Sequence, residues 1–217
     1  MSLAPVCPLC GSQTRYFHTD RLRDYFRCVH CELVLADPQS FLSEKEELAR
    51  YDLHENDPAD AGYRGFLNQL AAPLLQRITP GAQGLDFGCG PGPALAQMMS
   101  EAGMSMQAYD PFYAPDRSVL ARQYDFVTCT EVVEHFYQPL QNWQELAGLV
   151  RPGGWLGVMT ALRTDAIDFA RWHYPTEPTH VMFYAPKTIH FLADHLNMRL
   201  EYLRTPVILL QKPVEAD

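Results

Sequence analysis

The sequence predicts an α/β fold: a Rossmann-like, doubly wound sheet preceded by a small cysteine-bound unit. Three observations carry this prediction. From residue 84 onward, short apolar runs alternate with helical patterns, the signature of strand–helix–strand units. A glycine-rich turn, Gly88-Cys89-Gly90-Pro91-Gly92, stands between the first of these runs and the next helix. Four of the six cysteines fall into two equally spaced pairs within the first 40 residues.

Composition sets the outer limits. The chain has 217 residues, 47% hydrophobic and 20% charged, which fits a folded domain with an appendage and excludes a disordered or collagen-like chain. No apolar run reaches the roughly 18 residues that span a bilayer, and Met1-Ser2-Leu3-Ala4-Pro5 has no basic region followed by an apolar one. The expectation is a cytoplasmic protein with no membrane partner. The formal net charge is −9, while the first 40 residues balance four basic against four acidic side chains. The excess therefore lies in 41–217, where it repels phosphate backbones and counts against nucleic acid as a partner.

The first element is the pair of knuckles Cys7-Pro8-Leu9-Cys10 and Cys28-Val29-His30-Cys31, separated by 17 residues. Two residues between cysteines let a tight turn aim both sulfurs at one centre, and two such turns complete a tetrahedron. Four thiolates form a closed, soft shell suited to structural zinc. Gly11 supplies the permissive backbone after the first knuckle. A redox pair is the alternative reading, and the second pair at matching spacing speaks against it. Arg15–His18 and Tyr25–Arg27 read as short strands with a turn near Asp20–Asp24, giving a zinc ribbon over 1–40. Forty residues rarely bury enough apolar surface to fold alone, so the metal is expected to supply the folding energy.

Residues 41–80 read as a helical lid or linker. Ser43-Glu44-Lys45-Glu46 is a capping box that predicts a helix from Glu44 toward Tyr51. Residues 52–61 are polar and broken by Pro58, which marks a loop. Tyr63, Phe66, Leu67, Leu70, Leu74 and Ile78 recur at helical spacing and predict a second helix ending before Pro80-Gly81.

The main domain occupies 81–217. Its candidate strands are Gly84–Phe87, Met104–Tyr109, Phe126–Thr130, Trp155–Thr160, Arg199–Thr205 and Val207–Gln211. Its candidate helices are Pro93–Glu101, Gln138–Val150, Ala166–Trp172 and Pro186–His195, and together they predict a parallel sheet. Asp86 places a carboxylate under the glycine loop, where a pyrophosphate is repelled and a cationic amino or sulfonium group attracted. Asp110 ends the second strand, where an acid accepts bonds from ribose hydroxyls.

These residues resemble the class I S-adenosylmethionine-dependent methyltransferases. The resemblance rests on Leu85–Gly92, Tyr109-Asp110, Tyr124–His135 and Leu149–Thr160, which occur in the family's order. It implies a methyltransferase-type sheet, with S-adenosyl-L-methionine bound by Asp86, Phe87, Gly88, Gly90 and Gly92 at the methionine end. It also implies Asp110 and Pro111 at the ribose, with Thr130 and Glu131 closing the floor. Only 13 residues, prolines among them, lie between Asp110 and Tyr124, too few for the family's helix–strand–helix unit there. The third strand is expected to be reduced or missing. Phe112 and Tyr113 then stack on the adenine or cap the exposed sheet edge.

Glu131, Glu134 and His135, at i, i+3 and i+4, would share one helical face at the carboxyl edge of the sheet. With His180 in Pro178-Thr179-His180-Val181, they resemble a set in the ubiquinone-pathway O-methyltransferases and the small-RNA 2′-O-methyltransferases. In those families two carboxylates and two histidines hold a divalent cation such as magnesium on the substrate hydroxyl. Glu131, His135 and His180 become the candidate catalytic residues. The alternative is that the glutamates favour a helix N-terminus and His135 packs beneath the strand ends.

The aromatic, proline-rich stretch 169–184 covers the expected substrate side, with Trp172, Tyr174, His180 and Tyr184 as candidates; an ordinary hydrophobic cover is the alternative. His54, Asn56, Tyr63 and Arg64 are candidates to close over the cofactor. The leading expectation is methyl transfer to a small-molecule acceptor. An RNA-modifying enzyme using the ribbon's arginines and aromatics, or a cofactor-binding adaptor without activity, are the other readings. Salt-sensitive RNA binding marks the first and absence of single-turnover transfer the second.

Overall fold

The protein is described here from a computed structural model covering residues 4–53 and 57–214; the candidates His54 and Asn56 lie outside the described residues. The chain begins with strands β1 (Thr14–Thr19), β2 (Asp24–Cys28) and β3 (Val34–Ala36), followed by helices α1 (Glu44–Tyr51) and α2 (Ala61–Leu75). It continues through β4 (Gln83–Phe87), α3 (Ala94–Glu101), β5 (Ser105–Tyr109), β6 (Tyr124–Thr130), α4 (Pro139–Gly148) and β7 (Val150–Met159). It ends with β8 (Met182–Phe183), α5 (Pro186–His195), β9 (Arg199–Arg204) and β10 (Val207–Gln211).

The six-stranded sheet runs in the order β5-β4-β6-β7-β10-β9. Strands β5, β4, β6 and β7 are parallel, as crossover helices require. The expectation of a parallel sheet fails at the far edge, where β10 is antiparallel to both β7 and β9. Only Thr205-Pro206 joins β9 to β10, and so short a link can return the chain only beside itself in the opposite sense. Central β6 is buried on both faces, with Phe126, Val127 and Cys129 fully enclosed. Leu67, Leu70 and Leu74 on α2 join Met159 and Leu209 in the cluster on one face of the sheet. Between β5 and β6 the chain makes only an Asp110–Ala114 bridge and a 3-10 turn, Arg117–Ala121, so no strand occupies that place.

The N-terminal strands form a second sheet, β1-β2-β3-β8. Its last strand arrives from far along the chain, pairing Val34 with Phe183 and Leu35 with Met182. Cys28, Leu33 and Leu35 belong to the same buried cluster as Val158 and Ile208 of the large sheet. Thr188 of α5 donates to the Cys31 carbonyl oxygen at 2.8 Å. Around the sulfurs, Gly11 and Glu32, each directly after a knuckle, both adopt positive φ (71° and 65°), so the two turns repeat one backbone shape.

Near α1, the Glu46 carboxylate accepts from the Ser43 N–H and hydroxyl. In place of the expected helix at Ala166–Trp172 there is one 3-10 turn, Phe169–Arg171, and a second, Tyr174–Thr176, follows that span. Asp168 caps the first, Pro175 stands in the opening positions of the second, where a proline is tolerated, and Phe169 is held by edge contacts to Phe17, His18 and Tyr25. Among the described residues no helix is long and apolar enough to cross a membrane.

Candidate active site

A cavity of about 980 Å³ opens at the carboxyl ends of β4, β5 and β6. Ligands sit at this edge in open α/β sheets because the strands end there and the loops diverge. Of the residues expected to hold a cofactor, Asp86, Phe87, Gly88, Gly90, Asp110, Pro111, Phe112, Thr130 and Glu131 line it; Gly92 does not. Tyr63 lines it too, whereas Arg64 is turned to the Glu101 carboxylate of α3 and the Pro58 carbonyl oxygen.

The glycine turn is shaped by close approach. Gly88 has φ +75°, and a Cβ there would lie 2.4 Å from Val132 Cγ2. Its N–H and that of Cys89 both donate to the Tyr109 carbonyl oxygen, tying the loop to the end of β5. Asp110 gathers three more N–H groups. Its Oδ1 accepts from Phe112 at 2.9 Å and Tyr113 at 3.1 Å, and its Oδ2 from Gly90 at 3.0 Å. Three of the carboxylate's four acceptor sites are taken in this way, and Oδ2 keeps one for a further donor.

Asp86 is 2% exposed and accepts from the Thr128 hydroxyl at 2.8 Å. Burial is the main cause that pushes its carboxyl up to about 6, with the Asp110 charge adding to it. The same negative field reaches the tyrosines: burial first, then Asp86 and Glu131, pushes Tyr63 up to about 12. A cavity of this polarity favours a cation over a phosphate.

On the other side the structure brings Glu131, Glu134, Tyr174, His135 and His180 together, in a different arrangement from one helical face. Glu131 takes a left-handed backbone (φ 52°), and a 3-10 turn, Val133–His135, follows it. Glu134 is completely buried and accepts from the Tyr174 hydroxyl, while its Oε2 has no hydrogen-bond partner among the described residues. Tyr174 also approaches Glu131 Oε2 at 3.4 Å and Thr160 Oγ1 at 3.1 Å. Burial pushes both carboxyls up, and the mutual charge of the pair adds to this at Glu131.

His135 Nδ1 faces the Thr179 carbonyl oxygen at 3.0 Å, and His180 Nδ1 faces the Tyr174 carbonyl oxygen at 2.9 Å. A carbonyl can only accept, so both rings carry Nδ1–H. Burial and the nearby His135 push His180 down to about 3, which keeps it neutral. One ligand atom each from Glu134, His135 and His180 lies within 4.8 Å of the others. Of the remaining substrate-side candidates, Trp172 stacks on Tyr174 outside the lining, and Tyr184 is fully buried between the Trp143 N–H and the Val133 carbonyl oxygen.

Several lining residues carried no local signal. Tyr51 of α1 sets its ring against His135 and Phe112, and Glu47 and Tyr137 stand beside it. Arg50 pairs with the Glu177 carboxylate at 2.9 Å, and Tyr113 donates to Asp52 at 2.7 Å. These contacts lay α1 across the cavity mouth, and nothing in an eight-residue helix pattern announces such a position.

The second cluster is the cysteine set. Cys7 and Cys31 sulfurs are 3.7 Å apart, Cys10 and Cys28 3.4 Å, and all four lie within 4.8 Å of one another. A tetrahedron with zinc–sulfur bonds of about 2.3 Å has edges of about 3.8 Å. Backbone N–H groups of His30 and Cys31 point at Cys28, and those of Leu9 and Cys10 at Cys7, bonds that favour thiolates.

Comparisons with known proteins agree with this geometry. A family model described as a methyltransferase domain matches residues 60–203. A ubiquinone biosynthesis O-methyltransferase from Xanthomonas campestris pv. campestris (strain B100) is 31% identical over 160 residues, covering 61% of this chain and 64% of that protein. One of the same description from Bordetella avium (strain 197N) is 31% identical over 126 residues, covering 45% and 51%. The chain thus spans under two thirds of the length of these curated relatives. Among solved structures, a 1,6-didemethyltoxoflavin-N1-methyltransferase from Burkholderia thailandensis, with S-adenosylhomocysteine bound, has TM-score 0.56 at 14% identity, covering 91% of this chain and 99% of that one. An O-methyltransferase family protein from the same organism has TM-score 0.55 at 16% identity, covering 79% and 64%. At these identities the likeness to the solved structures is one of fold.

Proposed function

The chain belongs to the methyltransferase-domain family, and on that premise we propose that it moves a methyl group from S-adenosyl-L-methionine to a hydroxyl of a small-molecule acceptor. The observation that carries this reading is the cradle at the carboxyl edge of β4 and β5. There a glycine turn too tight for a Cβ is tied to Asp110, above the buried Asp86. S-adenosyl-L-methionine supplies a methyl carbon on a positive sulfur, which makes displacement at that carbon favourable.

The chain's own residues do the rest. Asp110, already locked by three N–H bonds, presents the open site of its fixed Oδ2 to a ribose hydroxyl. Asp86, held ionised in a buried place at neutral pH, attracts the cationic end. His135 receives the acceptor's hydroxyl proton as the new oxygen–carbon bond forms and the sulfur–carbon bond breaks. The Tyr174 hydroxyl, bonded to Glu134, fixes that wall.

In place of that proton transfer, Glu134, His135 and His180, with Glu131 beside them, would hold a divalent cation, whose chemistry is to acidify and orient a bound hydroxyl. The unpartnered Oε2 of Glu134 fits that role. Two imidazole donors suit manganese, iron or zinc better than magnesium, which prefers an all-oxygen shell. We read 1–40 as a zinc ribbon held by Cys7, Cys10, Cys28 and Cys31, 41–80 as a lid, and 81–217 as the transfer domain. The acidic lining and the charge-balanced ribbon support a small acceptor over RNA.

The test is to incubate the purified protein with methyl-labelled cofactor and a small-molecule extract, and to find the labelled product by mass. A labelled ether is expected. Label only in RNA or protein, or tight binding of cofactor without any transfer, would overturn the reading.

A further inference from the structure

We propose that Arg23, on the turn joining β1 to β2, is a positioning residue for the acceptor-side wall of the cavity. The proposal rests on the reading of Tyr174 and His180 given above. The Arg23 residue is 7% exposed, and every nitrogen of its guanidinium is engaged. Nη1 donates to the Pro178 carbonyl oxygen at 2.7 Å. Nη2 reaches the carbonyl oxygens of Pro175, Glu177 and His180 at 3.3, 3.1 and 2.6 Å. Nε donates to the Tyr25 hydroxyl at 3.1 Å, and that hydroxyl donates in turn to Asp20 at 2.7 Å.

The segment 175–180 holds itself by local turns alone: Thr176 N–H donates to the His173 carbonyl oxygen, His180 N–H to that of Glu177, and Thr179 to the Glu177 carboxylate. Pro175 and Pro178 lack N–H groups, and its carbonyl oxygens converge on one point, where they repel one another unless a cation stands between them. A planar fork of N–H donors meets that need, and a single ammonium does not match it. His180 contributes both its carbonyl oxygen to Arg23 and its ring Nδ1 to the Tyr174 carbonyl oxygen. Moving this backbone therefore moves the imidazole that faces the cavity. From the opposite side Arg50 grips the Glu177 carboxylate, leaving the loop clamped between α1 and the cysteine-bound unit. The N-terminal unit is in this way a structural part of the substrate wall.

The test uses the full chain with its metal content measured, as Arg23→Gln, Arg23→Lys and, as a control, Arg21→Gln on the exposed part of the same turn. In Arg23→Gln, amide exchange at Thr176 and His180 should quicken at least tenfold. The single Nδ1–H signature of the His180 ring in nitrogen NMR should give way to mixed tautomers. S-adenosylhomocysteine affinity by calorimetry should stay within twofold, and Arg21→Gln should match the wild type. Should Arg23→Gln lose its metal or fail to fold, Arg23→Lys carries the test and should show the same changes in smaller measure. A folded Arg23→Lys or Arg23→Gln with wild-type exchange and a wild-type His180 ring would overturn the proposal. With the extract's labelled product as the readout, Arg23→Lys should cut turnover at least fivefold. If the wild type labels nothing, the transfer reading fails, while the exchange and imidazole measurements still decide the role of Arg23.

Discussion

The rings of His135 and His180 meet edge to face, 4.8 Å between centroids and 73° between planes, although one follows β6 and the other precedes β8. Each ring is oriented by a different backbone carbonyl oxygen, Thr179 for His135 and Tyr174 for His180. Two imidazoles and the buried Glu134 carboxyl therefore face one small volume.

That arrangement predicts manganese binding. Calorimetry or electron spin resonance should find about one manganese ion per chain beyond the cysteine site. His180→Ala should weaken it by more than the roughly 10–100-fold that losing a ligand's supporting bond costs. Equal affinity in wild type and His180→Ala would remove the cation from the site.

Asp110→Ala should weaken S-adenosylhomocysteine binding by about 2 kcal/mol, roughly 30-fold, through loss of charge-assisted bonds and of the anchor for Gly90. Calorimetry reads this directly, and unchanged affinity would contradict the ribose assignment.

Asp86 gives the protein a pH signature. Its folded carboxyl titrates at about 6 against 3.8 in the open chain, so between those values the folded state holds more protons than the unfolded one. Stability contributed by this group is full below 3.8 and falls as pH rises toward 6. Asp86→Asn, which does not titrate, should be more stable than the wild type at pH 8 by up to about 3 kcal/mol. The gap should close near pH 4, as urea midpoints at both values would show. The same variant should bind S-adenosyl-L-methionine more weakly.

Cys28→Ser should release about one zinc per chain and unfold the β1-β2-β3 unit, because the knuckles carry the folding energy there. Metal analysis and tryptic digestion of the N-terminal segment measure both effects. An ordered, metal-free unit would refute the four-sulfur site.

Much of this molecule was legible from local chemistry. Gly88 and Gly90 next to Asp86 announced a turn where backbone approaches a ligand, and the paired cysteines announced a tetrahedron, because both signals depend on residues within a few positions. Helix α1 followed from Ser43 and Glu46, whose bond is local. The antiparallel β10, the two-residue β8 and the 3-10 turns after β7 were not legible: each is decided by partners distant in the chain. Met182 and Phe183 become a strand only because β3 offers an open edge. The loop at Tyr174–His180 takes its shape from an arginine more than 150 residues earlier. Which side chains could hold a cofactor or a metal was a matter of residue type and spacing. How Glu131, Glu134 and Tyr174 share a buried site, and how the cysteine unit reaches the cavity, was decided by tertiary packing. Only packing brings together groups whose charges and hydrogen bonds must be satisfied away from water.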